Sequence, residues 1–143
     1  MNVAAILKSK GRDVATIAPD ATINDAVLLL RRRRIGALVI GDHGSGVAGI
    51  LSERDIVRAL ADYGARIFDL PVSALMTRRV IACAPEDSVS DLMAEMTAHR
   101  IRHLPVMKND ALIGIVSIGD VVKHHVDAVE HDADAMRQFI ASA

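Results

Sequence analysis

The stretch Gly114-Ile-Val-Ser-Ile-Gly-Asp-Val-Val-Lys123 is echoed sixty-five positions earlier by Gly49-Ile-Leu-Ser-Glu-Arg-Asp-Ile-Val-Arg58. Self-similarity of this kind means one structural unit built twice, so the fold must place two copies of the unit around shared packing. Each copy reads as a strand running into a helix. An aliphatic run ends at a serine, Ser52 or Ser117, an acid follows three residues on, Asp55 or Asp120, and apolar residues then resume at helical spacing. A serine at the N-cap accepts from the free amides of the first turn, and the acid at the third helical position answers the positive end of the helix dipole. The same corner suits a ligand. Free amides attract phosphate, the hydroxyl can join them, and a carboxylate one turn in can accept from a vicinal diol such as ribose. Serine followed by such an acid is common at helix starts and usually means capping alone; the duplication is what singles these two out.

The repeat extends well beyond the corners. Ala18-Pro-Asp20 returns as Ala84-Pro-Glu86, and the helical face Ile23, Ala26, Val27 and Leu30 returns as Val89, Leu92, Met93 and Met96, all sixty-six positions on. Their caps agree, Thr22 with Asp25 and Ser88 with Asp91. A second strand follows each helix, Ala37–Ile40 and His103–Met107, and then a turn, Gly41–Gly46 in the first half and Lys108–Asp110 in the second. The shorter second turn explains the change of offset. Each half is therefore expected to be β-α-β-β-α, with residues 1–68 as the first repeat and 69–143 as the second plus a helical extension. The lead-in Val72–Met76 has its counterpart in Val3–Leu7. A unit of this size is marginal alone, so the halves are expected to pack with pseudo-twofold symmetry, two corners facing a shared cleft.

The last helix is expected from about Gly119 towards Ser142. Val122, Val126, Val129, Ala133, Met136 and Ile140 alternate steps of four and three along it, the seam of a helix that packs against another. Folding back on its own domain and self-association both satisfy that pattern.

Composition narrows the function. Half of the 143 residues are apolar and the aromatics are only Tyr63, Phe68 and Phe139, so the core is aliphatic and a base-stacking platform is not expected. A net charge of −1 argues against a general nucleic-acid or anionic-membrane binder. The run Arg31–Arg34 closes a helix, where cations favour the negative dipole end. Cys83 is alone and sits in a strand-like run, as a small buried hydrophobe would. With no secretory leader and no membrane-length apolar run, a cytoplasmic protein is expected.

In this order, two β-α-β-β-α halves with a Pro-acid pair before a helix and a Gly-aliphatic-aliphatic-Ser-x-x-Asp corner resemble a tandem pair of cystathionine-beta-synthase (CBS) domains, a Bateman module. Arg100-Ile-Arg-His-Leu-Pro-Val106 is similar to the family's His-Arg-x-x-x-Leu-Pro-Val strand. The resemblance covers nearly the whole chain and implies an α/β (α+β) fold that binds an adenosine ligand between its halves: AMP, ADP, ATP, S-adenosylmethionine or a dinucleotide such as NAD or NADH. It implies Asp120 and Asp55 as ribose ligands. Ser117 and Ser52 would contact the phosphate, Ile118 and Glu53 would also lie at the nucleotide, and Arg54 would add charge. Sites of this kind cross the repeats, which pairs Asp120 with Thr16, Gly36 and Ala37, and Asp55 with Thr77, Ile81, Arg102 and His103. The first half has Gly36-Ala-Leu-Val-Ile40 in place of the Leu-Pro-Val strand, leaving Lys10 and Arg12 to supply the missing base. The stretch Lys8-Ser-Lys-Gly-Arg12 and the two corner spellings look most like the small stand-alone bacterial members, for which AMP or a dinucleotide, and a homodimer, are implied.

Neither serine has a general base at matched spacing, so a hydrolase is not expected, nor any catalytic cofactor. His124, Asp127 and His131 share one helix face, but the two histidines are about two turns apart, which suits a solvated face better than a metal. The rival reading is a ligand-free interaction scaffold acting through its last helix. In either case the output passes through another, unidentified protein.

Overall fold

The computed structural model describes residues 1–42, 44 and 46–142. In chain order the elements are α1 (Val3–Lys10), β1 (Thr16–Ile17), α2 (Ile23–Arg33), β2 (Ala37–Gly41), β3 (Val47–Ser52) and α3 (Glu53–Tyr63), then a 3₁₀ segment (Gly64–Asp69) and α4 (Val72–Leu75). The second half adds α5 (Val89–His99), β4 (His103–Lys108), β5 (Ala111–Ser117) and α6 (Ile118–Ser142). One sheet has the order β1-β2-β3 and the other pairs β4 with β5. The expected first-half turn includes His43 and Ser45, which lie outside the described residues. Its counterpart turns through Asn109 and Asp110, both left-handed, as a tight hairpin requires.

The second half departs from the expected β-α-β-β-α order, because Val80–Ala84 forms no strand. Only Cys83 bridges to Val106. A proline explains the loss. In the first half the Val39 amide donates to the Ala15 carbonyl at 3.2 Å, beside the Thr16–Val39 pairing. The position equivalent to Val39 is Pro105, which has no N–H to give Ile81. The ladder therefore shrinks to the bonds around Cys83, whose amide donates to Pro105 O at 2.9 Å and whose carbonyl accepts from Met107 N at 2.8 Å. Cys83 itself is buried, and burial followed by the nearby Asp87 charge pushes its thiol up to about 12.

Two apolar cores result, and they exchange their lead-in helices. Val3, Ile6 and Leu7 of α1 pack with Val89, Leu92, Met96, Leu104 and Val116 of the second half, whereas Val72 and Met76 pack with Ile23, Leu38, Leu51 and Ile56 of the first. The repeated Ala-Pro-acid turn makes the exchange possible. Its carbonyls receive the free amides of the visiting helix: Val3 and Ala4 donate to Asp87 and Pro85, each at 2.9 Å, and Val72 and Ser73 donate to Ala21 and Pro19 at 2.7 and 3.1 Å. The corner glycines then leave room for the crossing. A Cβ at Gly114 would lie 2.7 Å from Leu7 Cδ2, and one at Gly49 would lie 2.7 Å from Met76 Sδ. Residues alike in the two halves thus hold the halves together around a pseudo-twofold axis.

Candidate functional site

At the first corner, Ser52 ends β3 and caps α3. Its Oγ accepts from the Asp55 amide at 3.3 Å, and Asp55 Oδ2 accepts from the Ser52 amide at 2.9 Å, a complete capping box. Capping uses only one carboxylate oxygen, so among the described residues Oδ1 carries no protein hydrogen bond and is available to a diol. The corner opens into a cleft of about 450 Å³ walled by both halves. From the first half come Gly36, Ser52, Glu53, Arg54 and Asp55. From the second come Thr77, Ile81, Arg102 and His103. Thr77 is held in place by a reciprocal bridge, its amide donating to Ile50 O at 2.9 Å and its carbonyl accepting from Ile50 N at 3.0 Å.

The eight residues that the sequence groups around Asp55, from Ser52 to His103, thus line one cleft. Gly36, which the sequence pairs with Asp120, also lies in this wall. A Cβ there would come within 3.0 Å of Glu53 Oε1 and 3.2 Å of His103 Cε1, so the glycine keeps the base of the cleft open to those two side chains. Sequence reading missed Arg58, Arg79, His99 and Arg100, which also line it. Arg58 had a signal: it lies one turn beyond Arg54, on the helix face that carries Asp55. Arg100 had none. It is the left-handed residue that ends α5, and its carbonyl accepts from Arg54 Nη1 at 3.1 Å, tying the first corner to the second half. Five arginines therefore face the cleft against the carboxylates of Glu53 and Asp55. That balance favours a ligand with several negative charges.

The second corner is built alike but occupied. Asp120 Oδ2 accepts from the Ser117 amide and hydroxyl, each at 2.9 Å, and Ser117 Oγ accepts from the Asp120 amide at 3.2 Å. The same Oδ2 also receives Lys10 Nζ at 2.6 Å, and that ammonium donates to Ile115 O at 2.8 Å. Ile115 is the counterpart of Ile50, so a lysine side chain stands where the first corner has the backbone of Thr77. Burial pushes the Asp120 carboxyl up, but the hydrogen bonds from Lys10 and Ser117 outweigh it and hold the group below the usual carboxylate range. Ile118 opens α6 and its amide donates to Arg102 O at 2.8 Å. Ala37 is buried in β2, opposite Ser52. Thr16 and Arg12 are exposed.

His103 lies between the corners. Burial lowers its pKa first and Lys10 lowers it further, while Glu53 and Asp120 pull the other way. The net effect keeps the imidazole neutral at pH 7.

This geometry agrees with a match to a family model: the CBS domain matches twice, over residues 6–62 and 72–127. The chain belongs to the CBS-domain family. It is 34% identical over 96% of its length to the mitochondrial CBS domain-containing protein CBSX3 of Arabidopsis thaliana, covering 71% of that protein. A CBS-domain protein from Agrobacterium tumefaciens superposes with a TM-score of 0.85 at 44% identity, over 87% of this chain and 99% of that one. The CBS domain pair of protein MJ0100, solved with 5'-methylthioadenosine and S-adenosyl-L-methionine, superposes with a TM-score of 0.79 at 25% identity, over 90% and 98% of the two chains. The arrangement here is thus a tandem CBS pair, with one corner open and the other occupied by its own lysine. No helix among the described residues is long and apolar enough to cross a membrane.

Proposed function

We propose that this CBS pair is a non-catalytic regulatory module whose Asp55 cleft takes an adenosine nucleotide, the highly charged ATP in preference to AMP or to a dinucleotide such as NAD or NADH. The observation that carries this reading is the meeting of a capped carboxylate with five arginines in one cleft. Asp55 Oδ1 would accept from the ribose hydroxyls. Ser52 and the arginines would face the phosphates. The adenosine ligands of the MJ0100 pair support the ligand class. The cationic wall supports the number of charges.

Because the wall comes from both halves, a bound nucleotide would bridge Asp55 on one side and Thr77, Arg102 and His103 on the other. A ligand that bridges two packed units regulates only through its difference in affinity between their arrangements. In this reading a cytoplasmic homodimer would relay the signal to a protein partner.

Calorimetry of extensively dialysed protein with ATP, ADP, AMP, NAD, NADH and S-adenosylmethionine tests the reading. The expected result is affinity rising from AMP through ADP to ATP, and a loss of at least tenfold in Asp55→Ala. Equal affinity for AMP and ATP would remove the role given to the arginines. Silence from every ligand, with no nucleotide in the denatured protein by mass spectrometry, would leave the interaction scaffold as the better account.

A further inference from the structure

α6 is 25 residues long, and its two sides face different surroundings. Val121 is fully buried in the second-half core, and His124 and Ala128 on the same side are partly covered. The seam Val122, Val126, Val129, Ala133, Met136 and Ile140 points elsewhere. At about 100° per residue its mean direction lies roughly a quarter turn from Val121 and further still from His124 and Ala128. Along it Val129 is 54% exposed, Met136 59% and Ile140 67%. A row of large apolar side chains over about 27 Å of helix is a surface built to be covered.

The charges beside the seam specify the cover. With Val126, Ala133 and Ile140 at one core position and Val122, Val129 and Met136 at the other, the flanking positions are Lys123, Glu130 and Arg137 on one side and His125 and Asp132 on the other. If two copies of the helix run parallel, Asp132 of each meets Arg137 of the other, and His125 meets Glu130. If they run antiparallel with the seam fully overlapped, Lys123 faces Arg137, Glu130 faces Glu130 and Asp132 faces Asp132. Every charged contact in that arrangement is repulsive. The ion pair that Arg137 makes within its own helix, to Asp134 at 2.8 Å, uses a single guanidinium nitrogen and leaves other donors for a partner.

We infer that the exposed seam of α6 pairs in parallel and in register with the α6 seam of a second copy of this chain, forming a short two-stranded coiled coil that joins two CBS pairs. Fewer than three heptads and a small Ala133 layer make the coil weak by itself, so the dimer is concentration-dependent.

Cross-linking distinguishes the arrangements. Cysteine is introduced in the full chain at Val126 or at Ile140, one at a time, leaving the buried Cys83 in place. In the parallel pair each new thiol faces its own copy, so mild oxidation yields covalent dimers from both variants. In the overlapped antiparallel pair the self-distance along the axis is about 15 Å at Val126 and about 27 Å at Ile140, and neither forms a disulfide. Val129→Asp is expected to raise the dimer dissociation constant at least tenfold in sedimentation equilibrium and to abolish both cross-links. Arg137→Asp is expected to weaken association, and Asp132→Arg combined with it to restore it. Absence of cross-links at both sites, or cross-links unmoved by Val129→Asp, would each overturn the inference.

Discussion

Lys10 Nζ lies 2.6 Å from Asp120 Oδ2, so a residue at the end of the lead-in helix of one half closes the corner of the other. This contact makes two corners that are nearly identical in spelling structurally inequivalent. Lys10→Met would leave Asp120 and the Ile115 carbonyl open, at a stability cost under about 1 kcal/mol for a pair that is partly solvated. The expected outcome is that methylthioadenosine, which has a ribose and no phosphate, gains a second equivalent per chain in the variant when followed by calorimetry. Two equivalents in the unmodified protein would show that the lysine is no obstacle. Because the Asp120 carboxyl is held below its usual range, the contact's contribution is present above the ordinary carboxylate value and is lost as pH falls through the lowered one.

The two crossing glycines should differ in cost. At Gly49 an added methyl would meet Met76 Sδ at 2.7 Å and also the Thr77 carbonyl oxygen at 2.9 Å, which is backbone and cannot turn away. At Gly114 the contacts are the tips of Leu7 at 2.7 and 3.1 Å. Gly49→Ala is therefore expected to cost about 1–3 kcal/mol in urea unfolding, and Gly114→Ala clearly less, because a leucine rotamer can adjust. Equal losses would mean that the Leu7 side is as rigid as the backbone.

The repeat, the caps and both Ser-x-x-Asp corners were legible because each rests on local spacing. Three things were not. The exchange of lead-in helices was hidden because periodicity says which face of Val3–Leu7 is apolar and not which core receives it. The missing strand at Val80–Ala84 was masked by its β-branched run, although Pro105, the cause, stands in plain view in the partner strand. Arg79, His99 and Arg100 reach the cleft only through the way the halves pack, which no spacing within one half encodes.

Arg100 adopts a left-handed conformation at φ 54°, as its counterpart Arg34 does at φ 55°. Glycine prefers that geometry, so Arg100→Gly and Arg34→Gly are each expected to stabilise the fold by up to about 1 kcal/mol, read as a higher Tm. Only Arg100 lines the Asp55 cleft. Its substitution keeps the carbonyl that holds Arg54 but removes a guanidinium, so ATP affinity should fall several-fold in Arg100→Gly and stay unchanged in Arg34→Gly. Equal affinity in the two variants would take Arg100 out of the site.

His103 is expected to make nucleotide binding sensitive to pH. Its pKa is lowered by burial first and then by Lys10, against the opposing pull of Glu53 and Asp120. The folded form thus favours the neutral imidazole, and this contribution to stability is present above the ordinary value of about 6.5 and is lost as pH falls through the lowered one. A polyphosphate in the cleft reverses the balance, because anionic oxygens near the ring favour its charged form and raise its pKa. Binding should then take up protons between the lowered and the raised value. Calorimetry of ATP binding near pH 6 in two buffers of different ionisation enthalpy is expected to give different apparent enthalpies, with net proton uptake. Affinity should rise as pH is lowered from 8 towards 6. The nucleotide's own terminal phosphate titrates in the same range, so His103→Asn is the control. If the uptake persists unchanged in that variant, the protons belong to the ligand and His103 does not face the phosphates.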